Sequence, residues 1–406
     1  MEAIRTIRGG VCSAKGFRAA AVAAGLKYKG RDDVALLAAD SPCDAAAAFT
    51  TNKVAAAPVV YDRAVAARGR AQAILANSGC ANACTGEDGM RDATLSALVV
   101  AGELGISPDD VFVASTGVIG RRLPMDRLLS GASAAVKALG RTGAHAHKAA
   151  RAIMTTDTKP KEAAATCVID GRKVTVGGMA KGSGMIEPNR ATMLGFLTTD
   201  ADIAPGMLTR ALVKAIAKRF TSLVVDGDES TNDSVFLLAS GKAGNRRISR
   251  SCEEFRVFSA TLEKVCVSLA RQMAADAEGA TKFVTVIVKG ARSEQDAARA
   301  ARAVARSPLA KTSWFGGDPN WGRVLAAVGY SGADVADCRA EVFYDGVWAY
   351  RHGEVAGKDQ LRKLAAVMRK KEFSVTVDLH LGKGESTVYT CDLSLDYIHI
   401  NADYTT

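Results

Sequence analysis

Lys181-Gly182-Ser183-Gly184-Met185-Ile186-Glu187-Pro188-Asn189-Arg190-Ala191-Thr192-Met193-Leu194 decides how this chain is read. Its glycines admit two interpretations. A loop that cradles phosphates needs further glycines, or a Gly-Lys-Thr ending at fixed spacing before a helix. Here a proline follows instead, then Ala191, then Thr192 at the head of the apolar run Met193-Leu194-Gly195-Phe196-Leu197. What remains is an exposed connection leading into a buried strand. That arrangement suits one chemistry. If the peptide bond between Ala191 and Thr192 breaks, Thr192 gains a free α-amine beside its own hydroxyl. An α-amine titrates near pH ~8, so one residue would hold both a nucleophile and the base that takes its proton. The chain has five histidines and none lies in a nucleophile-elbow motif, which fits a catalyst that needs no histidine. By composition alone, an ordinary linker is the commoner reading of such a loop.

Outward from this loop, helical and strand patterns alternate, with no low-complexity linker and no fixed-period repeat. Alanine-rich amphipathic stretches at 89–105 and 124–139 predict helices. Between them Val111-Phe112-Val113-Ala114-Ser115 predicts a strand ending in a Thr116-Gly117 turn. Residues 164–169 and 172–177 alternate as strands around Asp170-Gly171, a strong hairpin signal. A helix over 207–220 feeds a predicted strand, Ser222-Leu223-Val224-Val225. Ser251 and Glu254 have the spacing of a capping box opening a long helix to about Ala277. Beyond it the pattern predicts a strand at 283–289, helices at 293–306 and 322–328, strands at 338–345 and 347–351, and a helix at 358–371. Strands are expected near 373–381, 386–391 and 396–401. A boundary falls near 283. Paired antiparallel strands among helices argue for a layered α/β or α+β protein rather than a doubly wound parallel sheet.

The bulk composition excludes several classes. At 406 residues, 48% hydrophobic and 24% charged, the chain has the make-up of a soluble globular protein with a sizeable core. It has no apolar run of membrane-spanning length, and its first ten residues lack a secretory signal and leave little room for a transit peptide. A cytoplasmic location is expected. The nine cysteines are scattered without zinc spacing, so reduced and mostly buried thiols are expected. His145 and His147 lie among alanines and basic residues with no carboxylate nearby in sequence, and read as a solvated helix end rather than a metal site. The net charge is +10, but the positive residues are spread and aromatics are only 6%. A solvated surface comes first, attraction of acidic metabolites second, and nucleic-acid binding a distant third. The acids and asparagine of Asp226–Asp233 suggest a calcium loop, but Leu237 falls where its bidentate glutamate belongs, so a structural turn is expected.

The chain resembles the ornithine acetyltransferase (glutamate N-acetyltransferase) family of arginine biosynthesis, essentially from end to end. The resemblance is carried by Ala14-Lys15-Gly16-Phe17, Phe49-Thr50-Thr51-Asn52-Lys53, Asn77-Ser78-Gly79 with Ala81-Asn82-Ala83-Cys84-Thr85-Gly86, and Ser115-Thr116-Gly117-Val118-Ile119-Gly120. It continues through Met154-Thr155-Thr156-Asp157-Thr158, the 181–194 loop, Val225-Asp226-Gly227-Asp228 and Ser230-Thr231-Asn232-Asp233. Ala277-Glu278-Gly279-Ala280-Thr281-Lys282, Gly317-Asp318-Pro319-Asn320-Trp321-Gly322-Arg323 and Ile400-Asn401-Ala402 complete it.

The resemblance implies an αββα sandwich similar to N-terminal-nucleophile hydrolases over 1–283, and a smaller α+β domain over 284–406. It implies self-cleavage between Ala191 and Thr192 into chains 1–191 and 192–406. These would stay associated, as an α2β2 assembly, and pass acetyl from N-acetylornithine to glutamate through acetyl-Thr192. Thr116 and Gly117 would form the oxyanion hole. Thr155, Lys181, Thr192, Glu278, Asn401 and Thr406 would contact substrate, with Lys181 supplying positive charge and Glu278 negative. Arg323 is a weaker candidate for charge complementarity, within a segment read as architecture. No metal, tightly bound cofactor, membrane or nucleic-acid partner is implied, and acetyl-CoA is a second candidate donor. Arg190 stands where the family usually has methionine, Cys80 where it has asparagine, and Glu229 where it has threonine. A rival reading is an amidohydrolase or aminopeptidase in which water replaces glutamate; a basic nucleic-acid-binding protein is a more remote one.

Overall fold

The computed structural model describes residues 4–187, 193–216, 222–336 and 339–403. In chain order the first unit contains β1 (Arg5–Ile7), β2 (Phe17–Val22), β3 (Val34–Phe49), α1 (Ala57–Ala67), β4 (Arg70–Cys80), α2 (Gly86–Leu104), β5 (Val111–Val118), α3 (Met125–Lys137) and α4 (Gly143–Ala152). It continues with β6 (Lys161–Ile169), β7 (Arg172–Lys181), β8 (Leu194–Thr199), α5 (Pro205–Ala215), β9 (Ser234–Ala239) and α6 (Glu253–Ala275).

Alternation along the strands sorts these elements into layers, because successive side chains point to opposite faces. In β9, Val235 and Leu237 pack with Val174, Val176 and Leu197 under Leu208 and Leu212 of α5 and Phe258, Leu262 and Leu269 of α6. Phe236 and Leu238 point the other way, into a core shared with Phe196, Leu37, Ile74, Phe112 and Ala114. On the far face of β4 and β5, Ala73, Leu75, Val111 and Val113 meet Ala97 and Val100 of α2 and Leu128 and Ala132 of α3. The order is therefore helix, sheet, sheet, helix, the αββα sandwich expected. Phe236 sits at the middle, its ring 4.9 Å from that of Phe112 and 5.7 Å from that of Phe196. Truncating so central an aromatic to alanine costs about 3–5 kcal/mol.

The 16-residue β3 joins the two sheets, pairing with β4 through Val34–Ala38 and with β9 through Asp44–Phe49. Its Ala45–Ala48 run lies in a strand although alanine favours helix, because tertiary pairing overrides propensity. The hairpin between β6 and β7 turns on Asp170 and Gly171, both at positive φ, as a two-residue turn requires.

The second unit has its own sheet and core. Its strands are β10 (Phe283–Ala291), β11 (Glu341–Tyr344), β12 (Val347–Arg351), β13 (Glu354–Val355), β14 (Glu372–Asp378) and β15 (Gly384–Cys391). They are ordered β13-β12-β11-β14-β10-β15 and antiparallel except for β10 with β14. Helices α7 (Glu294–Arg306), α8 (Pro308–Phe315), α9 (Trp321–Gly329) and α10 (Lys358–Met368) accompany them, and α11 (Leu395–Asp403) ends the described chain.

Three local expectations are corrected. Residues 396–401 form a helix, not a strand: the Ser394 hydroxyl accepts from the backbone N–H of Asp396 and Tyr397 and so caps the turn. Cys252, not Ser251, occupies the N-cap of α6, while the Ser251 hydroxyl accepts from Arg210. Ser222–Val225 is not a strand; Leu223 makes a single bridge to Tyr389. His147 also finds a carboxylate that its sequence neighbours did not show, hydrogen-bonding Glu162 at 2.7 Å.

Candidate active site

A cleft opens where β5 and β7 end and β8 and β9 begin. Thr116 and Gly117 of β5, Thr155, Lys181 of β7, Met193, Leu194 of β8, Asp233, Glu278 and Asn401 all line it, and its free space is about 230 Å³. These residues come from segments far apart in sequence. The sandwich brings them together.

Gly117 has a φ of +130°, and a Cβ there would meet the carbonyl carbon of Gly79 at 2.4 Å and the Cys80 nitrogen at 2.6 Å. Only glycine fits so close a backbone approach. Beside it, the Lys181 ammonium donates to the hydroxyl oxygens of Thr116 at 3.1 Å and Thr155 at 2.7 Å. An ammonium can only donate. Both hydroxyls must therefore accept from Lys181, which leaves their own hydrogens free to be given to another acceptor. Thr116 is thereby set as a donor, the polarity an oxyanion hole requires.

Lys181 is buried, and burial pulls its ammonium below the ordinary lysine range while the charge of Asp157 opposes that pull. Asp157 lies behind it. Its carboxylate accepts from the backbone of Gly182 at 2.8 Å and Thr155 at 3.0 Å, and pairs with the buried Lys161, which also bridges to Asp276 at 2.6 Å. Burial would raise the Asp157 carboxyl, but Lys181, Lys161 and these hydrogen bonds outweigh it and bring it down to about 2. A negative carboxylate here supports a positive Lys181 in a dry setting.

The acidic side of the cleft is Glu278. Its carboxylate accepts from the Asn401 side-chain amide at 2.9 Å, and its backbone N–H donates to the Ser183 carbonyl at 3.0 Å. A Cβ on Gly184 would lie 2.3 Å from that carboxylate, so the glycine makes room for it. A cation on one wall and an anion on the other suit a ligand carrying both charges, as an α-amino acid does.

Ala191, Thr192 and Thr406 lie outside the described residues, as does Arg190. Met193, bonded to Thr192, lines the cleft. Arg323 does not: it donates to the Leu309 carbonyl at 2.8 Å and so ties α9 to α8, while Asn320 caps α9 by accepting from the Arg323 N–H. Ser230–Asp233, expected as part of a structural turn, forms cleft wall. Asn232 donates from its amide to the carbonyls of Ala81 and Ser115, locking β9 to the end of β5. Burial pushes the Asp233 carboxyl well above the usual range, against Ser230 and Lys181, and among the described residues its Oδ2 has no hydrogen-bond partner. Asp157 and Asp233 were missed as site residues. For Asp233 the available signal was five consecutive polar residues, Ser230–Ser234, set directly before the apolar run Val235-Phe236-Leu237-Leu238-Ala239.

An αββα sandwich whose cleft joins a donor hydroxyl, a glycine backbone turn, a buried lysine and an opposing acid defines an acyl-transfer enzyme. The chain belongs to the ArgJ family, whose model matches residues 18–406, and it is an acyltransferase of arginine biosynthesis. It is 52% identical to an arginine biosynthesis bifunctional protein ArgJ from Geobacter sulfurreducens, over 97% of this chain and 99% of that one. It is 46% identical to a glutamate N-acetyltransferase from Methanocaldococcus jannaschii, over 99% and 100%. Among solved structures, a crystal structure of an arginine biosynthesis bifunctional protein argJ from Bacillus halodurans is 38% identical with a TM-score of 0.51. It covers 52% of this chain and 100% of that one. The family drawn from the sequence motifs is correct.

Proposed function

We propose that this chain cuts itself between Ala191 and Thr192 and then moves acetyl from N-acetylornithine to glutamate through an ester on Thr192. The observation that carries this is the placement of Met193, the residue that follows Thr192 in the chain, in the same cleft as Thr116, Gly117, Lys181 and Glu278. The relative named glutamate N-acetyltransferase supports the acceptor. A solved relative whose whole chain covers only 52% of this one supports a cut near the middle.

In the first step the Thr192 hydroxyl attacks the Ala191 carbonyl; collapse breaks the Ala191–Thr192 C–N bond, leaving an ester and a free Thr192 amine, and water then opens the ester to release the Ala191 carboxylate and restore the hydroxyl. In catalysis that amine takes the hydroxyl proton as the oxygen attacks the acetyl carbonyl. The negative oxygen of the tetrahedral intermediate is met by the Thr116 hydroxyl and the Gly117 N–H. Collapse breaks the amide, and the departing ornithine amine takes the proton back. The glutamate amine then attacks the ester and regenerates Thr192. Lys181 attracts the carboxylate of the bound amino acid, Glu278 its ammonium, and Thr155, Asn401 and Thr406 complete the contacts.

The cut chains stay together, as α2β2, in the cytoplasm, and neither metal nor tightly bound cofactor takes part. Among the described residues no helix is long and apolar enough to cross a membrane. Acetyl-CoA is a second donor in this scheme. A denaturing gel with intact mass and N-terminal sequencing should show two fragments, the second beginning at Thr192. Thr192→Ala should remain one inactive chain. Acetyl transferred by an uncut chain would sink the mechanism, and acetate released without an acetylated acceptor would move the assignment to an amidohydrolase.

A further inference from the structure

The Asp226 carboxylate contacts none of the groups assigned to substrate, yet both of its oxygens are fully occupied. Oδ2 accepts from the backbone N–H of Met185 at 2.7 Å and from the Tyr397 hydroxyl at 3.3 Å. Oδ1 accepts from the N–H of Ile186 at 2.9 Å and of Asp228 at 3.3 Å. These bonds reach two different parts of the machinery. Met185–Glu187 is the approach to the 191/192 junction, and Met185 is held at a φ of +55°, a conformation a side-chain-bearing residue adopts only under constraint. The same segment is stitched to the Asp226 turn by Val225 N–H to Ile186 carbonyl at 2.8 Å and Glu187 N–H to Asp228 carbonyl at 2.9 Å.

On the other side, Tyr397 belongs to α11, which has no buried residue, and its apolar Leu395 and Ile398 are exposed. Packing does not hold this helix down; polar contacts do. The Asn401 amide donates both to the Tyr397 carbonyl at 3.0 Å and to Glu278 at 2.9 Å. A continuous path therefore runs from the approach to the junction through Asp226, Tyr397 and Asn401 to Glu278. Burial, with the charges of Asp226 and Glu278, pushes the Tyr397 hydroxyl up, so it remains a donor at any working pH.

We infer that Asp226 is a positioning residue with two duties: it fixes the backbone that presents the 191/192 bond for cleavage, and through Tyr397 it fixes the helix that places Asn401 against substrate. This rests on the proposed function, since it needs both the cut and the roles of Asn401 and Glu278. Two substitutions separate the duties. Tyr397→Phe keeps the ring and loses only the helix tether. It should mature normally and show KM for the amino-acid substrates raised about tenfold, the scale of one charge-assisted hydrogen bond, with kcat within about twofold. Asp226→Asn turns one acceptor oxygen into a donor, so whichever way the amide is turned, at least one backbone N–H of Met185 or Ile186 loses its acceptor. It should accumulate uncut precursor, maturing at least about tenfold more slowly.

A merely structural role would lower the unfolding temperature and leave the split between KM and kcat untouched. Wild-type KM in Tyr397→Phe, or wild-type maturation in a folded Asp226→Asn, overturns the assignment; if Asp226→Asn does not fold, Tyr397→Phe decides. The wild-type control distinguishes the two levels. Protein that is neither cut nor active sinks both, whereas cut, active protein with indifferent variants sinks only the role of Asp226.

Discussion

A lysine ammonium carries three hydrogens and no lone pair, and at Lys181 that asymmetry fixes the behaviour of two hydroxyls. Thr116→Val keeps the shape of the side chain and removes the oriented O–H. Its kcat for acetyl transfer should fall ~10²–10³-fold while KM stays within about threefold. Gly184→Ala tests the opposite wall. The new methyl would meet the Glu278 carboxylate, the end of a flexible side chain, so the protein should fold while KM rises ~10-fold on the loss of one charged contact. Asp157 makes a prediction about pH. Its folded value of about 2 lies below the ~3.9 of an unfolded aspartate, so its contribution is complete above pH ~4 and is lost as pH falls through 2. Against Asp157→Asn, the wild type should be about 2 kcal/mol more stable at neutral pH, with the gap closing towards pH 2 in urea titrations. Thr116, Gly117, Thr155, Lys181, Glu278 and Asn401 were legible in the sequence because their motifs could be matched one by one. Asp157 and Asp233 were not, because a carboxylate placed behind a lysine is a fact of tertiary geometry and looks, along the chain, like any other surface acid.

The elements most legible in the sequence carry their own stop signals. The β6–β7 hairpin announces itself through Asp170-Gly171, and α7 opens on Ser293, whose hydroxyl accepts from the Asp296 N–H. The terminal helix is the instructive failure. Tyr397, Ile398, His399 and Ile400 are aromatic or β-branched, with an apolar alternation that reads as a strand. The deciding group is Ser394, buried one residue before the helix, where it caps two N–H groups and donates to the Gly279 carbonyl at 2.6 Å. Ser394→Ala should therefore cost about 1 kcal/mol, and because α11 has no core to fall back on the loss should be local. Hydrogen exchange at residues 396–399 should accelerate, and KM should rise, without a comparable drop in the global unfolding temperature. A fall in global stability with unchanged exchange in α11 would contradict this.

At the scale of the molecule, the two pieces left by a cut at 191/192 share one sheet. Strand β7 lies before the cut and β8 after it, and they pair from Val176 with Thr199 through to Lys181 with Leu194. Farther along, β9 pairs with β3. Matured protein should accordingly elute as a single species in native gel filtration and come apart only under denaturant; separation of the pieces at neutral pH without denaturant would count against the assignment. A chain that folds first and is severed afterwards carries its connectivity only once. Before the cut, recovery from denaturant is a first-order event, indifferent to dilution. After it, the same recovery requires two molecules to meet, so its yield should fall as the protein is diluted. If the proposed cut is made, lifetime in the mature form is governed by how slowly the sheet opens rather than by an equilibrium between folded and unfolded states, and each molecule's assembly becomes close to a one-way passage.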